Sequence, residues 1–322
     1  MIAAGQYVEF LDREYLRGYV DEGGAAVKFA VAPDAEVGRL FADRVQQVAG
    51  GDGYAVATVD AATTRVHLLE QVFFAVARQI DWDQLAAVTV RAALAAVGFP
   101  AQSEANEGGD GLSVDLLANH YRVDPRELKR DVDRELQQRV QRDYAMVQEF
   151  RTAMLRLCQV QLRTGQVADA EHAAVLDWLR GDLRQISALK SALIFRRIGR
   201  HNARLLLFSL AHWLAVNGRV GLVLVLDIRR LGFARRPAPA EREGYYYTKA
   251  ALLDAYEVLR QLVDNTDELA HCCVVVLPAM EFLTDTGRGL DAYQALKLRI
   301  FDEVRDRERD NPFSSLVRLG PG

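Results

Sequence analysis

Cysteine is scarce in this chain: Cys158, Cys272 and Cys273 are the only three among 322 residues. They form no CxxC pair, and the adjacent two sit inside the apolar run HCCVVVLP. That excludes a paired redox or metal motif and points to buried free thiols in a reducing cytoplasm. Long apolar runs are missing too. The longest, VGLVLVL, is strand-sized, far short of the ~20 residues of a membrane span. The start, MIAAGQYVEFLDREYL, has no basic stretch ahead of an apolar core, so no secretory signal is expected. Neither charge sign dominates: the net charge is −4, which gives no bulk argument for nucleic acid or membrane binding. The six histidines show no spacing such as HExxH, and no GxSxG or Cys–His pattern stands out. What remains is ordinary globular composition, 50% apolar and 26% charged, with chain enough for one large or two smaller domains.

Periodicity divides the chain into three. Residues 6–20 read as a helix, after which Gly23 and Gly24 open the apolar strand AAVKFAVA. A helix over 37–48, the turn AGGDG, an alternating strand over 54–60 and a helix over 65–81 follow. Residues 82–190 carry no convincing strand pattern; AQSEANEGGDG (101–111) marks an exposed loop, and Asp124 with Pro125 gives an N-cap and first-turn start for a long charged helix. The α/β pattern then returns: a helix over 201–218, a strand over 220–227, a helix over 248–266 capped by Thr248, a strand over 271–278 and a helix over 290–309. Strands alternating with helices imply a parallel sheet covered on both faces. The expected organisation is a first part of an α/β core (1–81), a helical insertion (82–190; a separate helical domain is the alternative) and a second part of the core (191–322).

Strand, turn and helix near the start of such a chain is where a phosphate-binding loop sits. The stretch AAVKFAVAPDAEVGRL has that outline without the residues. A working GxxxxGK[ST] loop uses its glycines for close backbone approach to phosphate, its Lys for the β/γ-phosphates and its hydroxyl for magnesium. The ungapped reading puts Ala32 to Arg39 on those positions: both glycines are gone, Gly38 stands for the Lys and Arg39 for the hydroxyl. A shift by one keeps Gly38 and puts Arg39 in the Lys place, with Pro33 and Leu40 in the first-glycine and hydroxyl places. Both registers remain open, and neither restores a magnesium ligand. Asp34 and Glu36 would repel a triphosphate, and Pro33 removes a donor. The second half of such a site is an acid ending a central strand, which VLVLD supplies as Asp227. A plain structural carboxylate is the competing reading of Asp227. A degenerate nucleotide site is therefore expected at Ala32, Glu36, Gly38, Arg39 and Asp227, with no catalytic residue, metal or cofactor; ATP with magnesium is the alternative. A buried carboxylate lacking its cation costs on the order of several kcal/mol. In the ungapped register Arg39, or failing that Lys28 or another nearby Arg, is thus expected to pair with Asp227, whereas the shifted register would aim Arg39 into the phosphate space, where it could hold an anion.

Three segments carry a resemblance: LDWLRGDL (176–183), IFRRIGRHNARLLLFSLAHWLAVNGRVGLVLVLD (194–227) and EFLTDTGRGLDAYQALKLRI (281–300). In that order they resemble the ATP-binding protein family associated with BREX phage-defence systems, which is similar to AAA+/ORC-like P-loop ATPases. GGAAVKF (23–29) and VDAATTRVHLLEQVFFAVARQIDW (59–82) resemble its N-terminal region. The resemblance implies a P-loop NTPase-like α/β fold with nucleotide and magnesium held by the phosphate loop and a strand-end Asp-Glu. Here only Asp227 carries over, and Ile228 stands where the Glu would position the attacking water. The implied role is a catalytically inactive scaffold or regulator in a bacterial defence complex, working with an active ATPase relative, a helicase or DNA. A divergent ATPase or a nucleotide-sensing switch is the alternative.

Two arginine clusters are candidates for contact with DNA phosphates or a partner's acidic face: Arg196, Arg197 and Arg200, and Arg229, Arg230, Arg235 and Arg236. Solvated faces and ion pairs are the competing reading. The run YYY at 245–247 is either a partner anchor or core.

Overall fold

A computed structural model describes residues 1–100, 114–162, 166–233, 244–301 and 310–320. The expected loop at 101–111 and residues 302–309 of the expected helix over 290–309 lie outside these residues. In chain order the elements begin with β1 (Ile2–Ala3), α1 (Ala4–Phe10, continuing as a π-helical stretch Leu11–Val20), β2 (Ala25–Val31), α2 (Ala35–Gly51), β3 (Ala55–Asp60) and α3 (Leu69–Ala77). Six helices follow: α4 (Trp82–Ala96), α5 (Val114–Tyr121), α6 (Pro125–Leu136), α7 (Gln148–Gln161), α8 (Gln166–Arg180) and α9 (Ala203–Val216). The chain then forms β4 (Leu222–Asp227), α10 (Lys249–Asp264), β5 (Cys272–Leu277), α11 (Glu281–Thr284), α12 (Gln294–Ile300) and β6 (Leu316–Gly320). Two compact units result, Met1–Gln79 with Arg219–Gly322, and Ile80–Gly218.

The first unit is α/β. Its six strands run β1-β6-β2-β5-β4-β3, and every pairing is parallel. A parallel sheet needs cover on both faces, and the strands show it: every residue of β2 and β5 is buried. On one face Ala26, Ala30, Val223, Val225, Cys273 and Val275 pack under Tyr7, Phe10 and Leu16 and under Phe41 and Val45 of α2. On the other, Phe29 stacks on Phe282 with ring centroids 6.1 Å apart. This six-stranded parallel arrangement flanked by helices is consistent with a P-loop-like fold. Strands β1 and β6 have no counterpart in the sequence reading. β1 is two residues long, and β6 is a five-residue LVRLG whose Arg318 interrupts the apolar pattern and is held by Asp310 at 3.0 Å.

The second unit is helical, with no strand among its described residues. Leu128, Val132, Leu136 and Val140, four apart, are all buried, the single stripe expected of an amphipathic helix. Asp124 caps α6 by accepting from Arg126 N–H at 2.7 Å and Glu127 N–H at 3.2 Å, ahead of Pro125. Helix α9 clusters with this unit; Leu206, Leu207, Leu210 and Trp213 are among its buried side chains.

Lys28 and Asp310 are buried charges of the sheet unit. Lys28 on β2 is buried, and its Nζ donates to Tyr15 Oη at 2.6 Å, to the Phe313 carbonyl at 2.7 Å and to the Ser314 carbonyl at 3.3 Å. Its three donors are used, but no carboxylate is among the acceptors, and burial pushes the amine from 10.5 down to about 8. Between about 8 and 10.5 the unfolded chain holds this proton more tightly than the folded one, so Lys28 makes stability rise with pH across that window. Tyr15 and Cys273 are held protonated to higher pH by burial and act in the opposite sense, but both are present in a Lys28→Met variant. Denaturant titrations at pH 7.5 and 9.5 are expected to shift the stability difference in favour of the wild type at the higher pH. A difference independent of pH would show that the amine is not desolvated.

Candidate functional site

The parallel register brings the carboxyl ends of four strands level. Asp60 of β3 pairs with Asp227 of β4, and Asp227 with Leu277 of β5. Ala32, just past β2, bridges Ala279, and its N–H donates to the Pro278 carbonyl at 3.0 Å. A cleft of about 420 Å³ opens over these ends, with Pro33, Asp34, Asp60, Asp227, Arg230 and Phe233 in its lining. Open α/β sheets take their ligands at this edge.

The chain leaves β2 into α2 through Pro33 and Asp34. Asp34 is extended (φ −150°) and its Oδ1 accepts from Val37 N–H at 2.8 Å. It is therefore the N-cap of a 17-residue helix. The amide pole that would attract an anion already faces a carboxylate of its own chain. With the helix starting at Ala35, Gly38 turns inward and is buried, while Glu36 and Arg39 are exposed. Arg39 pairs with Asp43 one turn along α2 at 2.9 Å, and both side chains are more than half exposed.

Asp227 is met by Arg229. The Arg229 Nε lies 3.0 Å from each carboxylate oxygen, Nη2 also donates to Oδ2, and the Arg229 backbone N–H donates to Oδ1 at 3.0 Å. Arg229 Nη1 donates to the Ala35 carbonyl at 2.8 Å, so one guanidinium ties the end of β4 to the first turn of α2. Hydrogen bonding to Asp227 raises the Arg229 pKa and keeps the group charged. The reason for Gly38 follows: a Cβ there would stand 2.8 Å from Arg229 Nη1 and 3.1 Å from Ala32 Cβ. Beside this plug, Arg230 Nε donates to the Tyr245 carbonyl at 2.9 Å and its guanidinium lies 4.4 Å from the Phe233 ring. Asp60 Oδ1 accepts from Ala62 N–H at 2.7 Å.

The expected Arg39–Asp227 pair does not form. The N-cap at Asp34 sets the helical phase, and residue 39 comes one position, about 100°, past the inward-facing Gly38. Lys28 does not serve either, since its amine is engaged by Tyr15, Phe313 and Ser314. The third alternative, another nearby arginine, is what forms: Arg229 pairs with Asp227, and it comes from the group of seven assigned to outside contacts. Its signal was local: a cation two residues after the strand-end acid. Of the others, Arg196, Arg197 and Arg200 belong to the helical unit. There Arg196 lies 3.7 Å from Glu149, Arg197 donates to the Arg184 carbonyl and Arg200 is exposed. Arg235 and Arg236 lie outside the described residues. In the YYY run Tyr247 is core: its buried hydroxyl donates to the Thr64 carbonyl at 2.6 Å and accepts from Val66 N–H at 3.2 Å. Tyr245 is at the surface, 5.1 Å from the Arg65 guanidinium.

A family model described as BREX system ATP-binding protein BrxC/D matches residues 110–321. The match takes in β4, Asp227, Arg229 and β5, and leaves β2, the Pro33–Asp34 turn and β3 outside it. No curated protein and no solved structure matches the chain.

The plug has consequences for stability. The side chains of Asp227 and Arg229 are 15% and 24% exposed, so Arg229→Ala strands a largely buried carboxylate and is expected to cost roughly 2–3 kcal/mol in chemical denaturation. The loss should shrink in an Asp227→Asn background. Gly38→Ala is expected to cost about 1–3 kcal/mol alone and distinctly less alongside Arg229→Ala, because its nearest obstacle is gone. Equal costs in both backgrounds would mean that the guanidinium does not lie over the glycine. Arg39→Ala should stay within about 0.5 kcal/mol of wild type.

Proposed function

The chain belongs to the family of BREX system ATP-binding proteins BrxC/D, and on that premise we propose that it is a non-hydrolysing AAA+/ORC-like subunit, a scaffold or regulator within an anti-phage defence complex. The observation that carries this reading is the Arg229 guanidinium on both oxygens of Asp227. A triphosphate needs free backbone donors and a cation at the start of the helix, and magnesium needs an available carboxylate. In this chain Val37 N–H is taken by Asp34, and Asp227 is taken by Arg229. The cleft also carries Asp34, Asp60, Asp227 and Glu281 against Arg229 and Arg230, which disfavours an anion. These residues do not fit a magnesium triphosphate in the usual cradle, which supports a degenerate Walker A. On this reading no cofactor is used, the other components of the defence system are the partners, and the protein works in the cytoplasm. No helix of the described residues is long and apolar enough to cross a membrane. DNA is a further proposed partner of the assembly.

One observation favours a second reading, a nucleotide-sensing switch: about 420 Å³ of cleft remains beside the plug. Calorimetry on protein checked for copurified nucleotide separates the two. The first reading expects no binding at millimolar ATP, with or without magnesium, and no magnesium-dependent hydrolysis. Binding without turnover would favour the switch. Hydrolysis abolished by Asp227→Ala would overturn both in favour of a divergent ATPase.

A further inference from the structure

The helical unit displays a surface that its own core does not explain. After the 3₁₀ turn Ile186–Leu189 the chain runs without regular structure to Asn202. Burial alternates along it: Ala192 and Ile194 are buried, while Leu193 is 59% and Phe195 65% exposed. Exposed apolar residues are common singly; two large ones straddling a buried isoleucine are less so. Leu193 is also held at φ +60°, the left-handed region, where a side chain is strained and glycine would be at ease. That backbone is fixed from beneath. Leu193 N–H donates to the Lys190 carbonyl at 3.1 Å, Ile194 N–H to the Leu189 carbonyl at 3.2 Å, and Trp178 Nε1 to the Arg196 carbonyl at 2.9 Å. Asn202, itself buried, accepts from Gly199 N–H at 2.9 Å and donates to the Arg197 carbonyl at 3.3 Å. The fold therefore holds a leucine in a costly conformation and presents it, with a phenylalanine beside it, to solvent. Strain of this kind gathers where a protein binds something.

Charge says what the surface fits. Between Asp182 and Asp227 the sequence contains no acidic residue, while Arg184, Lys190, Arg196, Arg197, Arg200 and Arg204 are cations. Arg196, at 71% side-chain exposure, lies 3.7 Å from Glu149. A polyanion satisfies that charge in two ways. A single nucleic-acid strand would use aromatic faces for stacking, and here one of the two exposed apolar groups is aliphatic and has no such face. A protein segment that sets apolar side chains among acidic ones meets both the leucine–phenylalanine pair and the arginines.

We propose that Leu193 to Arg200 is a preformed docking surface for an acidic, apolar-tipped segment of a partner protein. It deepens the assembly role proposed above and rests on it. Its test is independent of the cleft: nucleotide hydrolysis would end the inactive reading and leave this surface standing, and an inert surface would leave the closed cleft standing.

Each other component of the same BREX system, purified singly, is titrated against the full chain by biolayer interferometry. One component should bind, and Leu193→Ala and Phe195→Ala should each weaken it about tenfold or more. The pair Arg196→Glu with Arg197→Glu, and a rise in salt, should weaken it further. Leu298→Ala, a comparably exposed leucine of the other unit, should leave it unchanged. Leu193→Gly removes the side chain and relieves the backbone, so affinity should fall while the thermal midpoint rises. A fall in both would assign the effect to misfolding and overturn the proposal. It is also overturned if no component binds or if binding ignores Phe195. It fails equally if Phe195→Ala instead weakens binding of a single-stranded oligonucleotide of about 20 bases, or dissolves a self-associated form in sedimentation.

Discussion

The in-register parallel ladder is the constraint from which the rest of the sheet unit follows. Because Asp60, Asp227 and Leu277 stand side by side across three strands, and Ala32 is bridged to Ala279, four chain exits are level at one edge. A parallel sheet cannot form such an edge without crossover helices, and those helices bury both faces. The same arrangement that makes the core apolar therefore gathers the polar ends of the strands in one place. A slip of one residue in β4 would turn Asp227 to the opposite face and Leu226 into its position.

What stands at that edge is an internally balanced charge. In a P-loop-like fold an acid at this strand end would be costly to leave alone, because its surroundings are largely desolvated. Arg229 answers it from two residues away and then reaches the Ala35 carbonyl across the sheet edge. The contact joins a strand end, a helix start and a glycine in one dependency. The acid requires the arginine, the arginine requires room above Gly38, and the phase of α2 that puts Gly38 there comes from the Asp34 cap. Asp34 and Arg229 thus engage, from within the chain, the first turn of α2 and the acid at the end of β4.

The two units distribute their unusual features differently. In the sheet unit unfavourable groups are satisfied internally: Lys28 by a hydroxyl and two carbonyls, Asp227 by a guanidinium. In the helical unit, Leu193 and Phe195 are left outward in a stretch that is otherwise well tied down.

Much of this was legible in the residues. The apolar-rich runs read at 25–32, 220–227 and 271–278, interrupted by Lys28 and Asp227, announce buried parallel strands, and the Asp124–Pro125 start announces α6. These signals are local, set by periodicity, capping and the dryness of a strand covered on both sides. The departure of residues 32–39 from the GxxxxGK[ST] pattern is equally local, since it is a matter of which residues stand in one short stretch. Strands β1 and β6 escaped because two and five residues carry too little pattern; they are strands only because a sheet edge was there to pair with. The partner of Asp227 escaped for a related reason. Arg39 and Arg229 were both available by composition, and the choice rested on the phase of α2 against the end of β4, elements whose contact joins residues 194 positions apart. The sequence by itself determined the layers and the departure from the phosphate-loop pattern, because neighbouring residues are enough to decide them. Only the tertiary structure decided which cation closes the site and which leucine is held outward under strain, because those depend on where distant backbone segments leave space.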